Sequence, residues 1–134
     1  MPRHYQNAVV LADGKRVGYG LFQRGETWYV RFVDGNGKRV KKSLGDVPIP
    51  RRDGRWHLTP ILHGPHHMGK IRKVAEDVIG WTFNIQGRIA KIQDVDAKRE
   101  LTGKLRAAKS TSDLALLEKE LRIHERLEQS VIFD

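Results

Sequence analysis

The 134-residue chain contains no cysteine. That absence excludes a disulfide framework, a thiolate metal site and a cysteine nucleophile together, and it suits a reducing compartment. Long apolar runs are also missing. No stretch approaches the ~20 apolar residues that span a bilayer, and no apolar run follows the first charged residues as a secretory leader requires. The expectation is a cytoplasmic or nucleoid-associated protein with no membrane partner. There is no phosphate-cradling P-loop, no GxSxG elbow and no HExxH pair. Acidic residues are scarce in the first half: residues 1–60 hold 5 of them against 12 basic side chains.

That imbalance is the dominant global feature. The whole chain carries 25 Lys and Arg against 16 Asp and Glu, a net charge of +9. Residues 61–134 are close to neutral, with 13 basic and 11 acidic side chains. A cationic face concentrates polyanions and speeds encounter with them. On a nucleic acid it also releases counterions from each phosphate it neutralises. No amphipathic helix with a Lys/Arg face and an aromatic face lies in the basic half, so nucleic acid fits better than an anionic membrane.

Residues 17–44 have β character. Three strands are predicted over 17–24, 27–33 and 38–44, with residues 8–11 as a further short strand. Gly25-Glu26 joins the first two of the three, and Asp34-Gly35-Asn36-Gly37 supplies the positive-φ residues of a hairpin turn before the last. Alternation puts Trp28, Val30 and Phe32 on one face and Tyr29, Arg31 and Val33 on the other. Val40 and Leu44 oppose Arg39 and Lys41 in the same way. The result is a meander with one apolar and one cationic face, whose apolar side needs a helix or sheet against it.

Residues 46–68 hold four of the five prolines, with Gly54, Gly64 and the Arg51-Arg52 pair. They are expected to form a long basic loop, with 55–58 as a short extra strand. Helical spacing follows. Ile71, Val74, Ala75, Val78, Thr82, Ile85, Ile89 and Ile92 recur at three and four residues. Gly80, Gly87 and Trp81-Thr82-Phe83 interrupt this pattern, which therefore predicts one bent helix or two shorter ones over 69–93. Ala97, Leu101, Leu105 and Ala108 mark a second helix. The capping-rich Ser110-Thr111-Ser112-Asp113 restarts the chain into a third over about 113–129, with Leu114, Leu117, Leu121 and Leu127 as its apolar side. The last two helices should form an antiparallel hairpin.

The β text resembles a known family. Gly20-Leu21-Phe22-Gln23-Arg24-Gly25-Glu26-Thr27-Trp28-Tyr29-Val30-Arg31-Phe32, then Asp34-Gly35-Asn36-Gly37-Lys38-Arg39-Val40-Lys41-Lys42-Ser43-Leu44-Gly45, is similar to the arm-type DNA-binding domain of phage and transposon tyrosine recombinases. The likeness covers about 26 residues, a fifth of the chain. It implies a three-stranded sheet backed by a helix, with the sheet face in the major groove. It also implies a mobile-element or phage setting. The family places its helix soon after the third strand, whereas here some twenty Pro-rich residues intervene. The catalytic half of a recombinase has no room in this chain, so the resemblance implies binding without cleavage.

The residues support the same reading unaided. A β-ribbon fits the major groove of B-form DNA. Arg31, Arg39 and Lys41 are the expected face contacts with Tyr29 between them. Arg24, Lys38 and Lys42 serve the rim, and Arg51, Arg52 and Arg55 contribute from the loop. Most such contacts position the protein on phosphate and few read sequence. The ordinary alternative is a solvated basic face on a small sheet, and the same face suits structured RNA.

Other side chains carry less chemistry. His57, His63, His66 and His67 lie within eleven residues, and imidazoles suit transition metals. Their spacing completes no closed site, so neither a metal nor any other cofactor is assigned. Glu76-Asp77 and Asp94/Asp96 are expected to be solvated or capping charges. The C-terminal hairpin, with Ile123 and Ile132-Phe133, packs on the chain's own core or joins a protein partner or a second copy.

The expectation is an α+β chain in three parts. Residues 1–45 form a three-stranded sheet, 46–68 a basic Pro/Gly/His-rich loop, and 69–134 a helical region. Its expected role is non-catalytic binding of double-stranded DNA. The alternatives are a structural subunit of a nucleoprotein complex, with or without RNA, and a metal-dependent nuclease resting on the histidines.

Overall fold

A computed structural model describes residues 7–25, 27–44, 46–50, 56–60 and 68–133, with backbone alone for 46–50, 56–60, 68 and 130–133. The class is α+β. The elements run β1 (Asn7–Val10), β2 (Arg16–Arg24), β3 (Thr27–Val33), β4 (Arg39–Ser43), β5 (Asp46–Pro50), β6 (Trp56–Pro60), α1 (Met68–Ala90), α2 (Val95–Ala107) and α3 (Thr111–Phe133).

The main sheet has four antiparallel strands in the order β1-β2-β3-β4, one more than the expected three. The extra one is the short segment at residues 7–10, which pairs with Arg16–Tyr19 across a turn at 11–15. The turn between β3 and β4 is built by Asp34, whose carboxylate accepts the N–H groups of Asn36 (2.9 Å) and Lys38 (3.0 Å). Gly37 takes φ +79° there, a conformation that a side chain would oppose. The segment expected as a loop contains a second sheet, the antiparallel hairpin β5-β6, which lies against α1 and α3.

The apolar stripe of α1 supplies the backing that the sheet requires. All eight residues expected on that stripe are buried: Ile71, Val74, Ala75, Val78, Thr82, Ile85, Ile89 and Ile92, the last just beyond the helix end. So are Ile79 and Trp81, which widen the buried surface around the helix. Two helical glycines cost about 1 kcal/mol each against alanine. Burial of Trp81 and three isoleucines between and beside them outweighs this, so the helix is continuous through Gly80 and Gly87. Phe83 reaches Phe32 of β3 (6.3 Å between rings), and the Tyr19 hydroxyl donates to Glu76 (2.6 Å).

The remaining helices close the other side. Asp94 caps α2 by accepting from the N–H groups of Asp96 and Ala97. Ser110 Oγ accepts from the N–H of Asp113, whose carboxylate accepts in turn from the N–H of Lys109. This reciprocal cap starts α3 at Thr111, two residues earlier than expected. Glu128 accepts from the N–H groups of Gln93 and Asp94, while Lys104 pairs with Glu120. These ties at opposite ends make α2 and α3 the expected antiparallel hairpin. Leu114, Leu117 and Leu121 are buried, but Leu127, expected with them, is 58% exposed. The linker at 108–110 runs beside β4: Ser43 N–H donates to Lys109 O, and Ser43 and Ser110 form an isolated bridge. That contact covers part of an otherwise open sheet edge.

Candidate nucleic-acid interface

The sheet's inner face is fixed by burial. Val17 and Tyr19 of β2, Val30 and Phe32 of β3, and Leu44 just after β4 point into the core. Trp28, Leu21 and Val40 pack partly against it. Side chains of the opposite parity face outward. They are Arg16, Phe22 and Arg24 on β2, Tyr29 and Arg31 on β3, and Arg39 and Lys41 on β4. Strands β2, β3 and β4 contain no acidic residue at all.

The register brings these side chains together. Phe22 is opposite Tyr29, and Arg31 is opposite Lys41. The two rings lie nearly parallel, 9° apart, with centroids at 5.1 Å. Three cationic heads approach the Phe22 ring: Arg31 at 5.2 Å, and Arg24 and Lys41 at 5.9 Å each. Between Arg16 and Phe22 on this face β2 contributes only Gly18 and Gly20, which add no side chain. Arg24, Arg31, Arg39 and Lys41 are exposed, and none is held by a carboxylate among the described residues.

Four helical cations are held in ion pairs. Lys73 pairs with Asp77, Arg88 with Glu118 and Glu125, Lys104 with Glu100 and Glu120, and Arg122 with Glu118. No such ion pair holds a cation of the sheet's outer face among the described residues.

Of the residues expected at the interface, Tyr29, Arg31, Arg39 and Lys41 share the outer face, with Arg24 at its end. Lys38 is exposed on the β3–β4 turn. Lys42 is a correction. It was expected at the rim, but its parity sends it inward, where it is 1% exposed and its Nζ donates to Ala108 O. Burial pulls its ammonium from the ordinary 10.5 down to about 8, against the opposing pull of the Asp34 and Asp113 charges. It ties β4 to the α2–α3 linker and does not belong to the cationic face. Arg51, Arg52 and Arg55 lie outside the described residues, as do His63, His66 and His67. His57 falls in β6, where only the backbone is described. Among the described residues no three His, Asp or Glu side chains gather as a metal site.

Two members of the face escaped the sequence reading. Arg16 begins β2 one residue before the expected start, and Phe22 has the same parity as Arg24. The signal for both was the alternation already applied to β3. Among the described residues no helix is long and apolar enough to cross a membrane. Compared with known proteins, the chain matches no family model, no curated protein and no solved structure.

Proposed function

We propose that the protein binds nucleic acid without cutting it, and that the outer face of the four-stranded sheet meets double-stranded DNA. The observation that carries this reading is the uncompensated charge of that face: five cations, Arg16, Arg24, Arg31, Arg39 and Lys41, on three strands that contain no acidic residue. A face whose cations meet no carboxylate among the described residues suits a polyanion. A short antiparallel sheet has the width to enter a major groove, and Arg on such a face offers bidentate geometry to phosphate and to guanine. The partial resemblance to arm-type recombinase domains points the same way.

Titration of duplex DNA, single-stranded DNA and folded RNA at two salt concentrations tests the proposal. Duplex DNA is expected to bind best, with log affinity falling steeply and linearly against log salt. Charge reversal at Arg31, Arg39 and Lys41 together is expected to abolish binding while the circular dichroism spectrum is kept. Salt-independent binding, or a triple variant that still binds, would remove the sheet face from the account. Preference for folded RNA would keep the face and change the ligand.

A second reading has its own observation. Leu116, Ile123 and Leu127 of α3 are 65%, 58% and 58% exposed. They suit a subunit that docks by its helices within a nucleoprotein complex. Sedimentation with and without DNA separates this from a protein that acts alone.

A further inference from the structure

Phe22 carries no charge, yet three of the five cations of the outer face lie close to it. Arg31, Arg24 and Lys41 come from three strands and approach one ring within 5.2 to 5.9 Å. The ring is held upright by its parallel stack on Tyr29, its register partner across the β2–β3 pair. The three like charges repel one another, and Arg31 and Lys41 are direct cross-strand neighbours. A neutral ring that attracts each of them through its π quadrupole holds the group together without neutralising it.

We propose that Phe22 is the positioning residue of this face, gathering Arg24, Arg31 and Lys41 into one cluster that grips a single phosphodiester group of the nucleic-acid backbone. The inference rests on the nucleic-acid reading above and narrows it to one atom set. Three cations about one ring carry more donors than the two oxygens of a carboxylate can take up. A phosphate presents several oxygens at once, and an Arg fork donates to two of them in parallel. Long basic side chains lose rotamer freedom when they bind, and a ring that has already gathered them reduces that loss. Phe22 therefore acts through the arginines and the lysine and needs no contact of its own with the ligand.

Two variants test the role. Phe22→Leu keeps the bulk, the strand and every charge but removes the ring face. Phe22→Trp returns a ring with a stronger quadrupole. With a fixed duplex, Phe22→Leu is expected to weaken binding about tenfold and to lower the slope of log affinity against log salt by about one, one phosphate's worth. Phe22→Trp is expected to recover both. Should Phe22→Leu disturb the sheet by circular dichroism, Phe22→Val, which suits a strand, repeats the comparison.

A second measurement does not depend on duplex binding. Inorganic phosphate is titrated while the Nε–Hε signals of Arg24 and Arg31 are followed by NMR. The wild type is expected to show both signals moving together with one affinity, and Phe22→Leu to show them uncoupled. If the two signals move together but no duplex binds, the phosphate cluster stands and the DNA reading falls. If duplex binding is strong, salt-dependent and unchanged in Phe22→Leu, the DNA reading stands and this inference falls. Preference for a polyglutamate peptide over duplex DNA at equal charge would overturn both.

Discussion

Arg31 and Lys41 stand directly opposite one another in the β3–β4 register, both exposed and neither held by a carboxylate among the described residues. Like charges facing each other across strands destabilise a sheet. The arrangement therefore opposes folding at the place where the binding proposal needs it. Lys41→Thr relieves the repulsion with a residue that suits a strand. It is expected to raise stability by up to about 0.5 kcal/mol at low salt, with the gain fading as salt screens the pair. DNA affinity should fall several-fold in the same variant. Urea unfolding at two salt concentrations, beside a DNA titration, checks both signs. A variant that loses stability at low salt, or binds unchanged, contradicts the trade.

The Lys42 ammonium gives the fold a pH dependence whose sign follows from its burial. Its pKa is about 8 in the folded chain against an ordinary 10.5. Between those values the unfolded chain binds a proton that the folded chain does not, so stability rises with pH through that window and falls as pH drops toward 8. The span corresponds to roughly 3 kcal/mol. Lys42→Met removes the titration and also removes the donor to Ala108 O. The quantity to follow is therefore the slope. The stability of Lys42→Met relative to wild type should be greatest below pH 8 and decline steadily toward pH 10.5. Tyr19, whose phenol is pushed up by burial and by the Glu76 carboxylate, pulls the other way only above its ordinary range. It is present in both proteins and cancels. A flat difference between pH 8 and 10.5 would show that Lys42 does not titrate there.

How far the sequence discloses this structure depends on how regular the local signal is. In β3 every residue has a side chain of definite polarity, so Trp28, Val30 and Phe32 separate from Tyr29 and Arg31 without ambiguity. In β2 the outward positions 18 and 20 are glycines, which have no polarity to read, and Arg16 and Phe22 lose their place in the pattern. Lys42 is a different failure. Its charge argued for solvent while its position, between Val40 and Leu44 in parity, argued for the core, and position decided. Pro48, Pro50 and Pro60 argued for a loop over most of 46–68, with only 55–58 as a strand, because proline removes a ladder donor. In a two-stranded ribbon both strands are edges, so each proline loses little there. For the helices, spacing was sufficient: every stripe residue expected on α1 and α2 is buried. On α3, Leu127 lies six residues beyond Leu121, off the three-and-four spacing of Leu114, Leu117 and Leu121, and it is exposed. There the apolar character of Leu127 argued for the core against its spacing, and spacing decided.

Glu118 is the clearest single point of failure in the helical half. It is 4% exposed, and its carboxylate accepts from the Trp81 indole (3.1 Å), from Arg88 (3.1 Å) and from Arg122 (3.0 Å). Arg88 continues the network to Glu125 through two further bonds. Removing one partner of a buried charged network leaves the others uncompensated, which typically costs about 3 kcal/mol or more. Glu118→Ala is expected to cost that much in urea unfolding. Glu118→Gln keeps an acceptor without the charge and should cost less. DNA binding by folded protein should be untouched in both, because none of these groups lies on the sheet. Loss of binding at a concentration where the variant is fully folded would place function in the helices.

Thr111 offers a change in the opposite direction. Its hydroxyl is buried, and no hydrogen-bond partner meets it among the described residues. A buried hydroxyl that exchanges water for nothing costs on the order of 1–3 kcal/mol. Valine has nearly the same shape, replaces the hydroxyl with a methyl group and adds no volume that the site must absorb. Position 111 opens α3, next to the Ser110–Asp113 cap, so the backbone bonds that start the helix come from neighbouring residues and survive the substitution. Valine's small loss of helix propensity relative to threonine's is negligible. Thr111→Val is therefore expected to stabilise the fold by about 1 kcal/mol, read as a higher urea midpoint with an unchanged slope. Thr111→Ser keeps the polar group and loses the methyl, so it should destabilise. If Thr111→Val instead lowers the midpoint while Thr111→Ser is neutral, the hydroxyl has a partner in solution, and its site is polar.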